Sequence, residues 1–160
     1  MTQGASWPGL LTEPRKRFTI GSESEPAMYY FAYASNLSRR QMAERAPGAK
    51  PRFAATLPNY KLVFGGWSRL WRGGTASIQG SGRDKVLGGI YEITEQDLAR
   101  LDKSEGCPGE YKHLTVVVYP DMGKPVEAVT YIRVKQPEET KPSAEYLARI
   151  KQGYQDWGLA

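Results

Sequence analysis

Hydrophobic and polar positions along the chain fall into short runs, separated by turn residues, with two helical stretches between them. Residues 28–33 form an aromatic run and read as a buried strand. Residues 38–45 predict a short helix, opened by Ser38 and stopped before Pro47. The runs 51–57, 60–64, 74–79 and 86–92 predict strands, divided by Pro, Gly and Asn. Thr94 stands as a helix N-cap, Asp97 takes a capping-box-like position, and Ile93 and Leu98 are spaced as a hydrophobic staple. That helix should run to about Lys103. Two long strands, 111–119 and 126–134, flank the turn Asp121-Met122-Gly123-Lys124 and make the clearest hairpin. A loop containing Pro137 and Pro142 leads to a last helix from about Ser143 to Gln155, with Leu147, Ile150 and Tyr154 on one stripe. Many strands with few, scattered helices predict an α+β fold, with the sheet curled into a barrel. The spacing is too irregular for a βαβ array.

Composition narrows this picture. The 160 residues suit one domain with a real core, and 40% apolar with 24% charged residues is ordinary for a globular protein. Residues 1–26 are rich in Gly, Pro, Ser and Glu, carry one basic cluster (Arg15-Lys16-Arg17), and read as an N-terminal extension, partly disordered. The domain proper is expected over 27–160. The net charge of +5 suits an acidic small substrate or weak nucleic-acid contact, and establishes neither. Cys107 is the only cysteine, so no internal disulfide forms and a reducing compartment is expected. No apolar run approaches the ~20 residues of a membrane span, and Trp7-Pro8-Gly9-Leu10-Leu11 is too short and broken for a secretory core. The expected location is cytoplasmic.

The candidate chemistry is sparse. His113 is the only histidine, which argues against a triad or a histidine-based metal site, and its period-two neighbours Tyr111 and Thr115 place it in a sheet. Cys107 lacks an assured base. No phosphate-loop or dinucleotide fingerprint occurs, and Gly65-Gly66 and Gly73-Gly74 read as turns. Two features remain. After the aromatic strand, Ser35 and Asn36 sit where a strand ends and a helix begins, so free backbone N–H groups can face an anion. Leu98, Leu101 and Glu105 lie at i, i+3 and i+7, which places the Glu105 carboxylate on an apolar face, while Asp102 and Lys103 point elsewhere. Desolvation there would make Glu105 a better base; alternatively it caps the loop Gly106-Cys107-Pro108-Gly109. Tyr111, Tyr131 and Tyr146 could each wall a ligand pocket or pack a core. Trp67, Trp71, Arg69 and Arg72 could stack nucleic-acid bases or pack a sheet with a solvated edge.

Together these segments resemble a family. Tyr30-Phe31-Ala32-Tyr33-Ala34-Ser35-Asn36-Leu37 resembles the YFAYGSNL signature of γ-glutamylcyclotransferases. Trp71-Arg72-Gly73-Gly74-Thr75-Ala76-Ser77-Ile78 resembles the W-x-GG-x-A-x-I segment that follows it. Leu101-Asp102-Lys103-Ser104-Glu105-Gly106 resembles the LD-x-x-EG motif that carries the catalytic glutamate, and Pro142-Ser143-Ala144-Glu145-Tyr146 resembles the P-S-x-x-Y opening the last helix. Tyr111 and Tyr131 fall at the family's later tyrosines. Order and approximate spacing agree from about residue 28 to 160.

The resemblance implies a mixed, mainly antiparallel, barrel-like sheet with a few flanking helices. It implies cyclisation of a γ-glutamyl group to 5-oxoproline with release of the free amine. Glu105 would be the general acid/base, Tyr33, Ala34, Ser35, Asn36 and Leu37 the carboxylate or oxyanion loop, and Tyr111, Tyr131 and Tyr146 further substrate contacts. The substrate's own α-amine attacks its own γ-carbonyl, so no protein nucleophile, metal or cofactor is required. The expected partner is a small γ-glutamyl molecule, with no nucleic acid and no membrane; a homodimer is left open. Asn36-Leu37 lean toward the branch acting on γ-glutamyl amino acids and amines rather than the glutathione-degrading branch. One letter departs: the family has Gly where this chain has Ala34. A positive φ there would strain the alanine, a close substrate approach would be blocked by its methyl, and a negative φ with the methyl turned away would cost nothing. The departure also leaves a second reading, a non-catalytic ligand-binding module on the same fold.

Overall fold

The computed structural model describes residues 27–159; the expected extension and its Arg15-Lys16-Arg17 cluster lie outside the described residues. Five strands close into a barrel: β1 (Met28–Ala32), β2 (Lys50–Ser68), β3 (Gly73–Ile93), β4 (Tyr111–Pro120) and β5 (Val126–Arg133), in the order β1-β3-β2-β4-β5. The pairings are antiparallel except the seam, where β5 meets β1 in parallel at Tyr30 and Val129. Three helices flank the barrel: α1 (Arg39–Arg45), α2 (Glu95–Glu105) and α3 (Ala144–Asp156). The α+β, mixed and mainly antiparallel barrel expected from the sequence is what the chain forms.

The four strands expected between residues 51 and 92 are two long ones that pair as a single hairpin. Asn59, read as a break, has φ 67° and sits in a bulge. The register passes there from Pro58 opposite Lys85 to Tyr60 opposite Gly80. The ladder continues on both sides of that bulge, so the turn residues bend the hairpin without ending it. Gly73 and Gly74 lie in β3 and not in a turn; a Cβ on Gly74 would stand 2.1 Å from the Thr140 carbonyl oxygen, so glycine lets the segment before α3 lie against the strand.

Each helix starts on the cap its sequence supplies. Ser38 Oγ accepts from Gln41 N–H at 3.2 Å, and Ser143 Oγ from Tyr146 N–H at 3.2 Å. Thr94 and Asp97 exchange bonds of 3.2 and 3.1 Å in a full capping box. Gly106, at φ 69°, ends α2 directly after Glu105.

Period-two alternation along β1 divides the core. Phe31, with Tyr33 just beyond the strand, packs inside the barrel with Ile78, Ile90 and Val118; Tyr30 and Ala32 pack outside with Leu37, Met42, Tyr91, Leu101 and Trp157, beneath the helices. The α3 stripe differs from expectation: Leu147 is 45% exposed, and the buried face is Tyr146, Ile150 and Gly153. At Gly153 the helix approaches the 35–37 turn so closely that a Cβ would lie 2.5 Å from Leu37 Cβ. Among the described residues no helix is long and apolar enough to cross a membrane.

Candidate active site

The site begins where β1 runs out. Ala34 has φ −136°, so the positive-φ reading of this position does not hold. Residues Ser35–Leu37 form one 3₁₀ turn, in which Leu37 N–H donates to Ala34 C=O and Ser38 N–H to Ser35 C=O, both at 3.0 Å. The N–H groups of Ser35 and Asn36 lie ahead of these bonds, outside the turn's own hydrogen bonding. Leu37 is fully buried, and its carbonyl accepts from Trp157 Nε1 at 2.8 Å. The structure therefore makes Leu37 an anchor of the turn and not a cavity wall.

The turn is held from behind. Gln41 Nε2 donates to Ser35 Oγ at 2.8 Å and to Asn36 Oδ1 at 3.0 Å, and Arg45 Nη1 adds a bond to Asn36 Oδ1 at 3.1 Å. Tyr91 OH donates to Asn36 C=O at 2.9 Å. With its oxygen occupied in this way, Asn36 turns its amide nitrogen forward, toward Tyr30 OH at 2.9 Å and Glu105 Oε2 at 3.2 Å.

Glu105 reaches this point because it is the last residue of α2, on the face that buries Leu101. Its side chain is 19% exposed, and Arg45 Nη1 stands 3.6 Å from Oε2. Burial raises the carboxyl pKa above its ordinary value; the Arg45 charge and the Asn36 bond pull it back, and Arg133 does so more weakly. Loop-capping, the alternative role for this residue, is taken over by Gly106 and by Cys107 N–H, which donates to Asp102 C=O at 2.9 Å.

A cavity of about 400 Å³ opens in front of Glu105, with Tyr33, Ala34, Ser35, Asn36, Tyr111, Tyr131 and Tyr146 in its wall. Tyr33 OH donates to Tyr131 C=O at 2.8 Å, and Tyr111 OH donates to Ala76 C=O at 2.8 Å. Tyr146 OH accepts from Ala76 N–H at 2.9 Å, and Tyr30 OH accepts from Asn36, so each keeps its own proton to donate. Tyr131 OH donates to Asp102 Oδ1 at 2.5 Å. Burial raises the pKa of all five hydroxyls above the ordinary tyrosine value, so these five stay protonated.

Several residues of the site escape a reading of the sequence. Asp102 and Lys103 do not point elsewhere: Asp102 holds Tyr131, and Lys103 lines the cavity. Arg45 has a signal in hindsight, since Gln41 and Arg45 are four apart and share the α1 face toward the turn. Arg133 lies two residues past Tyr131. It is 7% exposed, stacks 4.9 Å from the Tyr111 ring, and bonds Gly65 C=O at 2.8 Å and Thr75 Oγ1. Trp67, Arg69 and Trp71 sit at the end of the β2–β3 hairpin and line the same cavity, with Trp71 5.1 Å from the Tyr146 ring. Burial, with the Asp102 charge next, raises the Cys107 thiol pKa, the opposite of what an activated nucleophile needs.

This arrangement can bind a small polar molecule and exchange protons with it through one carboxylate. Comparison with known proteins gives it a lineage. Residues 30–157 match the family model described as gamma-glutamyl cyclotransferase, AIG2-like. Gamma-glutamylcyclotransferases from Bos taurus and Homo sapiens are each 34% identical over 145 residues, which is 88% of this chain and 77% of theirs. A solved structure of a gamma-glutamyl cyclotransferase superposes with a TM-score of 0.80 at 32% identity, covering 84% of this chain and 82% of that one. The family match spans β1 through α3, from Tyr30 beside Glu105 to the Trp157 that anchors the turn, and on that extent the chain belongs to the gamma-glutamyl cyclotransferase, AIG2-like family.

Proposed function

We propose that this protein is a γ-glutamylcyclotransferase that converts a γ-glutamyl amino acid or amine to 5-oxoproline and the free amine. The observation that carries this reading is the Glu105 carboxylate, made more basic by burial and held 3.2 Å from Asn36 at the wall of a 400 Å³ cavity. The substrate's α-nitrogen attacks its own γ-carbonyl carbon; a C–N bond forms, the five-membered ring closes, and the γ-amide bond breaks. Well-oriented intramolecular reactions of this kind reach effective molarities of about 10⁵–10⁸ M, so holding the substrate folded supplies much of the catalysis. The α-ammonium starts with three protons and the product lactam keeps one. Glu105 takes the other two in turn and returns them to the leaving nitrogen, which departs as an ammonium. The Ser35 and Asn36 N–H groups are the donors for the carbonyl oxygen as it becomes an oxyanion, or for the substrate α-carboxylate. Tyr30 and Tyr146, each with a proton to give, hold the remaining polar atoms.

The test is 5-oxoproline release from a panel of γ-glutamyl amino acids and amines. Glu105→Gln should lower it at least ~10²-fold, the scale for losing a general base. A Gln variant as active as the wild type would overturn the mechanism. The second reading, a ligand-binding module, draws on Ala34, a residue of the cavity lining. Its mark would be a γ-glutamyl compound that raises the Tm without turnover, together with turnover gained in Ala34→Gly.

A further inference from the structure

The chain has one histidine and one cysteine, and the fold brings them together. Asp102 lies on the last turn of α2, Cys107 just past the helix end, and His113 on β4 opposite Tyr131 in the β4–β5 ladder. One ligand atom from each of Asp102, Cys107 and His113 lies within 4.8 Å of the other two. We propose that these three residues form a binding site for a single divalent transition-metal ion of borderline softness, such as zinc.

The donor set carries the argument. An imidazole nitrogen, a thiolate and a carboxylate are the three ligand types that zinc takes from proteins, and three protein ligands with one open position is a common arrangement. The geometry is near what an ion needs. His113 Nε2 and Asp102 Oδ1 stand at hydrogen-bond distance, 2.6 Å. Ligands of a tetrahedral ion with bonds of about 2.0–2.1 Å stand about 3.3 Å apart, so an ion bound between them opens the pair by less than about 1 Å. With a zinc–sulfur bond of about 2.3 Å the thiol stands about 3.5 Å from its fellow ligands, so from within 4.8 Å it has at most about 1.3 Å to close. His113 is 39% and Asp102 30% exposed, which gives the ion a path in and leaves the fourth position to water. The surroundings also fix the ligands: Tyr131 OH donates to Asp102 at 2.5 Å, and the His113 ring packs against the Tyr131 ring at 5.4 Å. Tyr131 lines the cavity as well, so an ion that draws Asp102 away from its hydroxyl would be felt by the substrate; that consequence rests on the function proposed above, and the binding site does not.

Cobalt(II) tests the site directly, because Cys107 is the only thiol in the chain. The untagged, reduced, full-length protein is titrated with Co²⁺ in the absence of any γ-glutamyl compound. A thiolate-to-cobalt charge-transfer band should rise to one equivalent per chain, and zinc should bleach it. Cys107→Ser should abolish the band, and His113→Ala should weaken cobalt binding at least about 10-fold, with far-ultraviolet circular dichroism confirming that both variants are folded. No band in the wild type at excess cobalt would overturn the proposal. So would a band whose affinity is unchanged in His113→Ala, or one saturating at half an equivalent, which assigns the metal to two copies of the chain. None of these readouts depends on turnover, so failure here leaves the Glu105→Gln test, run with chelator present, to judge the proposed function separately.

Discussion

Replacing Arg45 by methionine keeps most of the apolar stem of the side chain and removes its charge. In the protein, Arg45 Nη1 stands 3.6 Å from Glu105 Oε2, with the two side chains 17% and 19% exposed. At that separation two unit charges attract by about 1 kcal/mol in bulk water and about 5 kcal/mol at an effective dielectric constant of about 20. The shift is worked from the lower figure, as a minimum. About 1.4 kcal/mol moves a titration by one pH unit. The sign follows from the causes already named: burial lifts Glu105, Arg45 pulls it back, and losing Arg45 lifts it further. A general base works ionised, so the rate falls as pH drops through its pKa. The acid limb of kcat/KM should therefore move to higher pH in Arg45→Met, by at least about 0.5 unit. The assay is 5-oxoproline release, followed across the acid and neutral range for both proteins. The height of the profile drops too, because Arg45 also bonds Asn36, but the position of the limb does not depend on height. An acid limb unmoved in the variant would refute the reasoning that Glu105 is the titrating base and Arg45 its electrostatic partner.

Two further outcomes concern stability. Glu105 has a folded-state pKa above its unfolded one, so the fold binds its proton more tightly than the unfolded chain, and stability from this group is lost as pH rises from the unfolded pKa through the folded pKa. Glu105→Gln removes that loss: its Tm should exceed the wild type's at neutral pH and approach it in acid, and equal advantages at both pH values would contradict the assignment. Gly153→Ala would put a methyl 2.5 Å from Leu37 Cβ and 2.7 Å from Ser38 N, forcing α3 away from the turn that presents Asn36. Overpacking of this kind costs about 1–3 kcal/mol, so the urea midpoint and the 5-oxoproline rate should fall together.

The sequence made some of this site legible and hid the rest, for physical reasons. Glu105 was visible because a charged residue fell in register with Leu98 and Leu101, an apolar stripe that a solvated glutamate has no reason to join. The turn was visible because β1 is too aromatic to be anything but buried and then stops at Ser35 and Asn36. The long hairpin was hidden because Asn59 and the glycines near 80 are turn residues taken singly; only pairing across β2 and β3 shows that they bulge a continuous ladder. The α3 stripe was misread because Tyr146 buries a polar tip. Its hydroxyl has a partner in Ala76 N–H, whereas Leu147, more apolar by any scale, lies on the wet side. Arg45, Asp102 and Arg133 were hidden because an isolated charge in a sequence looks solvated until its partner is known.

Those hidden residues explain why one carboxylate can be enough. Among the cavity-lining groups named above, burial pushes five tyrosines away from ionisation and toward neutrality. Glu110, the other carboxylate in the wall, is 60% exposed and lies toward Arg133, 3.6 Å away. Glu105 is the carboxylate that is both desolvated and aimed at the donor side of the turn, with Arg45 and Asn36 limiting how far its basicity rises. A carboxylate left fully to burial would stay protonated at neutral pH and could take nothing, and one fully paired would stay ionised and return nothing. A balance between desolvation and one arginine would let the same oxygen accept and give back a proton, as the proposed cyclisation requires.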